Sequence, residues 1–301
     1  MMRGTCVRRA VHGIQACGLA GLWLLATVPF PLQAQTAEAA HAVEFAPPAA
    51  RAISLTPHIT ELIFAAGAGD NIAATVTSSN YPPAALTIPR IGDGLNINVE
   101  KTLAVRPDVV IAWQPSGSAL TLAPVLSQLK IPLIYSAPRT LRDIPAEISR
   151  FGKLFHTENV ADPAARALAD RLQALRTQYA HRAPVSVFVE IGADPIYTLG
   201  NDPLLNDALD ICGGVNIYAN AAVAAPQVSA ESVLVAQPKV VITSAVDPIR
   251  LAAARDRWSR LRLPAALQGH VYGIDPDKLF RPGPRLIDAT EALCRYIDEA
   301  R

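Results

Sequence analysis

Aromatic and charged residues are scarce in this chain of 301 residues, at 6% and 18% of the sequence. Its 27 lysines and arginines are balanced by 26 acidic residues, so the formal net charge is only +1. No basic field is left over to neutralise phosphates, which excludes nucleic acid as a partner. Half of the residues are apolar, which is typical of buried sheets and excludes a disordered chain.

The motifs of the common catalytic and metal sites are also missing. The sequence holds no G-x-S-x-G elbow, no glycine-rich phosphate loop and no H-E-x-x-H helix. Its histidines are scattered, and His58 at the start of a helix is expected to pack or cap, with metal ligation as the rarer alternative. The carboxylates that a hydrolase would need are not paired by spacing: Asp93, Glu190, Asp194 and Asp277. An enzyme is therefore the weakest hypothesis.

The N-terminus has the layout of a secretory signal. Three arginines precede an apolar run over residues 14–31, and small residues follow up to Ala34. We expect residues 1–34 to be cleaved near Ala34 on export to the periplasm, with a membrane anchor as the alternative. Residues 35–49, rich in alanine and proline, are expected to form a flexible lead-in.

Cysteine is rare, with four in the chain, two of them inside the signal. Cys212 and Cys294 remain, and their spacing resembles no zinc or redox motif. Since disulfides persist outside the cytoplasm, we expect these two to be bridged. Two free buried thiols are the alternative.

Two stretches, residues 100–111 and 231–242, read almost alike. In each, a glutamate opens a short helix, a leucine follows three residues later, a proline ends the helix and an apolar run begins a strand. The spacing is far longer than a solenoid repeat of about 20–50 residues. It indicates one α/β unit used twice, in two similar lobes that close on a ligand.

Short apolar runs alternate with helical stretches from Arg51 onwards, which predicts parallel sheets with crossover helices. The fold class is α/β, with two Rossmann-like lobes joined by one long rigid backbone helix. The N-terminal lobe is expected over residues 50–158, the interlobe helix within 159–182 and the C-terminal lobe over 183–301. Strands are predicted at residues 52–55, 72–77, 109–113, 133–136, 186–191, 240–244 and 271–274.

The interlobe helix is predicted over residues 163–179. Asp162 would cap it and Pro163 would stand at its first position. Such a helix is about 25 Å long, enough to reach from one lobe to the other while permitting only a small hinge.

Three aromatic residues lie at the ends of predicted strands or soon after them: Tyr81, Trp113 and Tyr197. Ligands of open α/β sheets bind outside the carboxyl ends of the strands. Aromatic rings from both lobes would line a cleft for a large, flat, partly apolar ligand. In the alternative interpretation, each ring covers the core of its own lobe.

Several segments resemble the periplasmic cobalamin-binding proteins, a branch of the helical-backbone receptors that also bind haem and ferric siderophores. The segments are R-A-I-S-L-T-P-H-I-T-E-L-I-F-A-A-G-A (51–68), N-Y-P-P (80–83), D-I-C-G-G-V-N-I (210–217), P-Q-V-S-A-E (226–231), R-P-G-P-R (281–285) and the two repeats. The resemblance implies the monomeric capture component of an ABC importer. It would carry a corrinoid to an inner-membrane permease, with no cofactor or metal ligand of its own, since cobalamin brings the cobalt.

The resemblance also implies roles for individual residues. Tyr81, Trp113 and Tyr197 would contact the corrin ring, while Asp277 and Arg281 would meet the amide-bearing edge of the ligand. Cys212 and Cys294 match the disulfide of the family.

Glu100 and Glu231 would be the carboxylates that dock onto arginines of the permease. Opposite charges at two fixed points set orientation and association rate. Helix capping is the plainer interpretation of both glutamates, because a carboxylate in a first turn is stabilised by the helix dipole.

Gly94 and Ala225 stand where the family carries cleft tryptophans. We expect both to border the ligand in a wider or looser cleft, suited to cobalamin or to another chelate. The same scaffold holding haem or a ferric siderophore is the main alternative, with Tyr81, Tyr197 or His58 as candidate iron ligands for haem. A structural or adhesion protein without a small ligand is a third hypothesis.

Overall fold

Two sheets of mostly parallel strands organise the part of the chain that the computed structural model describes, residues 48–301. The expected signal segment, most of the lead-in, Cys6 and Cys17 lie outside these residues. No helix within residues 48–301 is long and apolar enough to cross a membrane. The α/β fold class with two parallel-stranded lobes is confirmed.

The N-terminal lobe is built on four parallel strands in the order β2-β1-β3-β4. These are β1 (Ala52–Ser54), β2 (Ile72–Ala74), β3 (Val109–Ala112) and β4 (Leu133–Tyr135). Every residue of the central strand β3 is buried, as expected when helices cover both faces of a parallel sheet. The helices are α1 (Pro57–Ala65), α2 (Val99–Ala104), α3 (Ser118–Gln128) and α4 (Asp143–Phe155), with short 3₁₀ turns at Gly69–Asn71 and Pro83–Thr87.

A long helix, α5 (Glu158–Tyr179), leads into the C-terminal lobe. The strands there are β5 (Val185–Ala193), β6 (Ile196–Thr198), β7 (Gly214–Asn216), β8 (Val240–Thr243) and β9 (Val271–Gly273). The helices are α6 (Pro203–Ile211), α7 (Ala230–Ala236), α8 (Pro248–Arg260), α9 (Pro264–Leu267), α10 (Pro276–Leu279) and α11 (Arg285–Glu299). Strands β7, β8 and β9 are parallel to their neighbours, whereas β6 folds back antiparallel on the end of β5.

The internal repeat extends over both lobes. The N-terminal order β2-β1-β3-β4 corresponds to β7-β5-β8-β9, and the β6 hairpin is an addition of the second lobe. Helix α2 leads into β3 as α7 leads into β8. The two stretches predicted to repeat therefore occupy equivalent places in equivalent lobes.

The predicted start of the interlobe helix is wrong. Helix α5 begins at Glu158, so Pro163 lies inside it and Asp162 accepts a hydrogen bond from Ser149 instead of capping it. Pro163 removes one hydrogen bond of α5, but close packing of α5 against α4 compensates for the loss. Gly152 of α4 lies so near to Ala161 of α5 that a Cβ added at Gly152 would be only 2.4 Å from the Cβ of Ala161. The observed helix of 22 residues spans about 33 Å.

One apolar core runs through both lobes and the long helix. Buried side chains of α4, α5 and α11, such as Phe151, Leu172 and Leu293, belong to the same cluster. Interiors packed in this way resist deformation. The lobes are therefore joined by packing as well as by the chain.

The predicted disulfide between Cys212 and Cys294 is present and joins the end of α6 to α11. It closes a loop with a sequence separation of 82 residues. Constraint of so long a loop in the unfolded chain contributes about 4 kcal/mol in the chain-entropy description.

We predict that Cys212→Ala with Cys294→Ala lowers the free energy of unfolding by about 2–4 kcal/mol, because the unfolded chain regains the freedom of the loop. In thermal unfolding, the melting temperature should fall by roughly 5–15 °C. A reductant should lower the melting temperature of the parent protein and leave that of the variant unchanged. Equal stability of the two proteins would contradict the prediction.

Candidate functional site

A cavity of about 240 Å³ lies between the two lobes. Trp113, Gln114 and Arg139 line it from the N-terminal lobe, and Leu205 and Phe280 are among the residues that line it from the C-terminal lobe. Its lining is mainly apolar with a few polar groups, as small-molecule sites usually are. A cavity between the lobes is therefore present at the carboxyl end of β3, and Trp113 is the one of the three predicted aromatic residues that lines it.

Trp113 follows β3 directly and is 43% exposed at this cavity. The ring of His58 meets it in a T-shaped contact, with 5.7 Å between ring centroids. His58 is itself buried: its Nε2 donates to the Ser136 carbonyl at 3.3 Å, and its Nδ1 accepts from the Thr56 hydroxyl at 3.2 Å. Both nitrogens are thus engaged, and the packing interpretation of His58 fits better than metal ligation.

The buried acid Glu61, on α1, joins the lobes. Its side chain is only 2% exposed, and Arg285 of α11 donates to its two oxygens at 2.6 and 2.9 Å. Arg281 approaches the same carboxylate at 3.5 Å. The forked bond to Glu61 raises the pKa of Arg285, so the guanidinium remains charged.

Asp277 and Arg281, predicted to contact the ligand, form bonds across the same junction. The Arg281 guanidinium lies 2.6 Å from Asp277 and donates to the Asn80 side chain at 2.7 Å. The Asn80 amide donates in turn to Asp277 at 3.0 Å. Arg281 also lines the cavity, so it serves the junction and borders the ligand space at once.

Tyr81 follows Asn80 and is 42% exposed. The guanidinium of Arg285 lies over its ring, 4.2 Å from the centroid. One face of the ring is thereby occupied by a residue of the other lobe. The N-terminal and C-terminal lobes together hold this aromatic side chain.

Tyr197 and Ala225 lie together at the edge of the second sheet. Tyr197 is in β6, is 40% exposed and forms a bridge with Gln227. Ala225 is exposed in a loop whose Ala224 carbonyl accepts a hydrogen bond from the Gly200 N–H. The loop packs tightly on Gly200, since a Cβ added at Gly200 would lie 2.2 Å from the Val223 carbonyl oxygen. Neither Tyr197 nor Ala225 lines the cavity of Trp113, so their contact with a ligand stays a prediction.

Gly94 lies in a tight turn before α2. The Asp93 carboxylate accepts from the backbone N–H groups of Leu95 and Asn96 at 2.9 and 2.7 Å, and these bonds lower the pKa of Asp93. Gly94 has a φ of +96°, and a Cβ there would meet only the Leu55 carbonyl oxygen at 3.7 Å. The turn therefore opens onto free space, but its backbone favours glycine.

Glu100 and Glu231 occupy matching positions as the second residues of α2 and α7. Asn98 and Ser229 cap these helices, so the caps do not require the glutamates. Both carboxylates are exposed, and neither takes part in an ion pair with another described residue.

Three of the four acids considered for catalysis are engaged elsewhere, and the fourth, Asp194, is exposed in the turn between β5 and β6. Glu190 is ion-paired with Arg257 and accepts from the Trp258 indole at 2.8 Å, while its burial raises its pKa. It borders a second cavity of about 470 Å³ along α8, within the C-terminal lobe. Asp93 and Asp277 are held by the turn and the junction described above. Within residues 48–301, no cluster of three or more potential metal ligands occurs.

Sequence reasoning missed Glu61, Asn80 and Arg285. One signal was present: Glu61 is the single charge in the apolar stretch of residues 59–66. An acid on the buried face of a helix needs a cation from another part of the fold. The sequence alone does not say which arginine supplies it.

Comparison with known proteins places the fold in context. A model of the family described as periplasmic binding protein matches residues 53–278. A vitamin B12-binding protein of Vibrio cholerae is 39% identical over 256 residues, which cover 84% of this chain and 91% of that protein.

Two solved structures show the same fold. The periplasmic vitamin B12-binding protein of Vibrio cholerae matches with a TM-score of 0.77 and 39% identity, covering 84% of this chain and 98% of that one. A periplasmic haem-binding protein from Roseiflexus sp. RS-1, in its apo form, has a TM-score of 0.70 and 25% identity, covering 83% and 99%.

We predict that His58 makes the protein less stable in acid. Burial lowers its pKa to about 4 from 6.5, so the unfolded chain binds a proton more readily than the folded one. The neutral His58 side chain therefore contributes to the free energy of unfolding fully above about pH 6.5. This contribution, on the order of 3 kcal/mol in total, is lost as the pH falls towards 4. Denaturant unfolding across this range should therefore show a flatter pH dependence for His58→Gln than for the parent protein.

His181→Gln is the matched control, because His181 is exposed. It should keep the pH dependence of the parent protein. If His58→Gln does so too, the buried imidazole is not the group responsible.

Proposed function

We propose that this chain, which belongs to the periplasmic binding protein family, captures cobalamin or a related corrinoid between its lobes as the substrate-binding component of an ABC importer. The observation that carries the proposal is the cavity between the lobes, which the half-exposed ring of Trp113 lines. The half-exposed ring of Tyr81 lies outside that lining, against Arg285 at the junction of the lobes. Relatives named for vitamin B12 binding match most of the chain, which supports a corrinoid over other chelates.

The cleft suits a large ligand held partly in the open. The enclosed volume of about 240 Å³ is below the usual range for a drug-sized molecule. A corrinoid would therefore place one edge in this cavity and lay its ring against Trp113 and Tyr81. Arg281 and Asp277 would offer a donor and an acceptor to the amide groups of the ring.

Capture and delivery need no covalent chemistry from the protein. The ligand brings its cobalt, and the residues near the cleft hold and orient it. We propose that the protein acts as a periplasmic monomer, after cleavage of its signal near Ala34, without cofactor or catalytic activity of its own.

A haem complex on the same scaffold is the alternative. His58 is poorly suited to bind iron, because both of its nitrogens are hydrogen-bonded and its ring packs against Trp113. Tyr81 and Tyr197 remain as candidate iron ligands. In a haem complex of this protein, the iron would therefore be bound by a tyrosine.

We propose that the membrane permease is recognised through Glu100 and Glu231. Their exposure and their freedom from ion pairs leave both carboxylates available to arginines of a partner. Their matching positions in two equivalent lobes suit a two-point contact. Such charges mainly set the orientation and rate of association.

We predict one-to-one binding of cyanocobalamin by the purified mature protein in calorimetric titration. Trp113→Ala should weaken it ten- to hundredfold, because about 100 Å² of aromatic contact is lost. Leu120→Ala is the control, since Leu120 is an exposed apolar residue of α3 that does not line the cavity. Haemin serves as the parallel titrant. Tight haemin binding without cyanocobalamin binding would overturn the corrinoid proposal and favour the alternative.

We predict that Glu100→Ala with Glu231→Ala abolishes delivery of the ligand and leaves its binding unchanged, because both docking charges are lost. Uptake of labelled cobalamin by cells with the cognate permease measures delivery, and calorimetry measures binding. Asp170→Ala, which removes an exposed carboxylate of α5, should affect neither. Loss of binding in the double variant would show that these glutamates do not act in docking.

A further inference from the structure

The loop that carries Tyr81 is fixed from both lobes. Within the N-terminal lobe, Arg90 donates to the Ser79 carbonyl at 2.9 Å, and the buried Ser79 hydroxyl lies 3.1 Å from that of Thr60 on α1. From the C-terminal lobe, Arg281 and Asp277 bond to the side chain of Asn80. The residue before Tyr81 therefore has little freedom.

Arg285 supports the ring of Tyr81 itself. Its guanidinium is in contact with the ring at 4.2 Å from the centroid, and its side chain is only 12% exposed. Neither Tyr81 nor Arg285 lines the enclosed cavity between the lobes, but the Tyr81 ring is 42% exposed whereas Arg285 is nearly buried. Its influence on a ligand would therefore pass through Tyr81.

Glu61 holds Arg285 in this orientation. The planar guanidinium binds both carboxylate oxygens, which fixes its plane as well as its position. Arg285 is the first residue of α11, where the helix dipole disfavours a cation. The buried carboxylate of Glu61 offsets that cost. Glu61 is itself closely surrounded, because a side chain added at Gly283 would place its Cβ 3.4 Å from the Oε2 of Glu61.

We infer that Glu61 and Arg285 are positioning residues for the ligand, which hold the Tyr81 ring so that its other face receives the bound macrocycle. This inference rests on the proposed function, since it assigns the free face of Tyr81 to the ligand. A lysine in place of Arg285 keeps the charge but loses the flat surface and the forked bond. The ring would then be free to rotate before binding, and affinity would be lost to ordering.

A double-mutant cycle tests the inference, with cyanocobalamin as the probe and calorimetry as the readout. Arg285→Lys should weaken binding about tenfold, the size expected for a partly desolvated cation–π contact. In a Tyr81→Ala background, the same substitution should change affinity less than twofold. In a Trp113→Ala background, it should again cost about tenfold. A purely structural role would weaken binding by the same factor in all three backgrounds, and that result would overturn the inference.

A second variant keeps the test valid if Arg285→Lys impairs folding. Glu61→Met with Arg285→Met removes both charges of the buried pair together, and such apolar replacements are often tolerated. It should unfold near the temperature of the parent protein and still bind about tenfold more weakly, with the loss again dependent on Tyr81. Unchanged affinity in this folded variant would also overturn the inference.

Failure of the proposed function gives a different result. The parent protein would then show no saturable binding of cyanocobalamin, whatever the variants do. The same cycle would be measured with haemin, and additive effects there would overturn the positioning role. Non-additive effects with haemin would support the positioning role while the corrinoid proposal falls.

Discussion

The buried carboxylate of Glu61 is the constraint on which the arrangement of the two lobes depends. Removal of its partners would leave a charge in the interior, at a cost of several kcal/mol. The two cations that pair with it among the described residues, Arg281 and Arg285, both come from the other lobe. Separation of the lobes at this junction is therefore disfavoured. The same cations lie at the ligand space, Arg285 over the ring of Tyr81 and Arg281 in the lining of the cavity. The interaction that joins the lobes therefore also fixes side chains at the cleft.

Two further features limit movement between the lobes. Helix α5 spans about 33 Å without interruption, and the apolar core continues across it from α4 to α11. A large hinge motion would have to break packing, ion pairs and helix together. The spacing between Glu100 and Glu231 is accordingly well defined, as two-point recognition by a permease would require. Under the proposed function, ligand release would depend more on the permease than on spontaneous opening.

The sequence predicted the strands with long apolar runs, because strands buried on both faces contain little else. It missed β6 and β7, which have three residues each. The start of α5 was predicted too late because proline favours the first position of a helix. That preference takes no account of tertiary packing, here the packing of Ala161 against Gly152. The disulfide was predictable because the secretory signal indicates a compartment in which disulfides persist, and only Cys212 and Cys294 remain after the signal is removed. The junction was not, because the partners of Glu61 are more than 200 residues away in the sequence.

Gly94 and Ala225, which the resemblance assigns to positions of cleft tryptophans, bear on how the remaining rings would act under the proposed function. At Gly94 the backbone has φ of +96°, so a tryptophan would be strained there. The aromatic surface at the junction is then concentrated in Tyr81 and Trp113. Each is supported from behind, one by Arg285 and the other by the buried, neutral His58. With fewer rings in contact, less binding energy is available to order mobile groups. Rigid support of these two rings is therefore the means by which this cleft would retain affinity for a flat ligand.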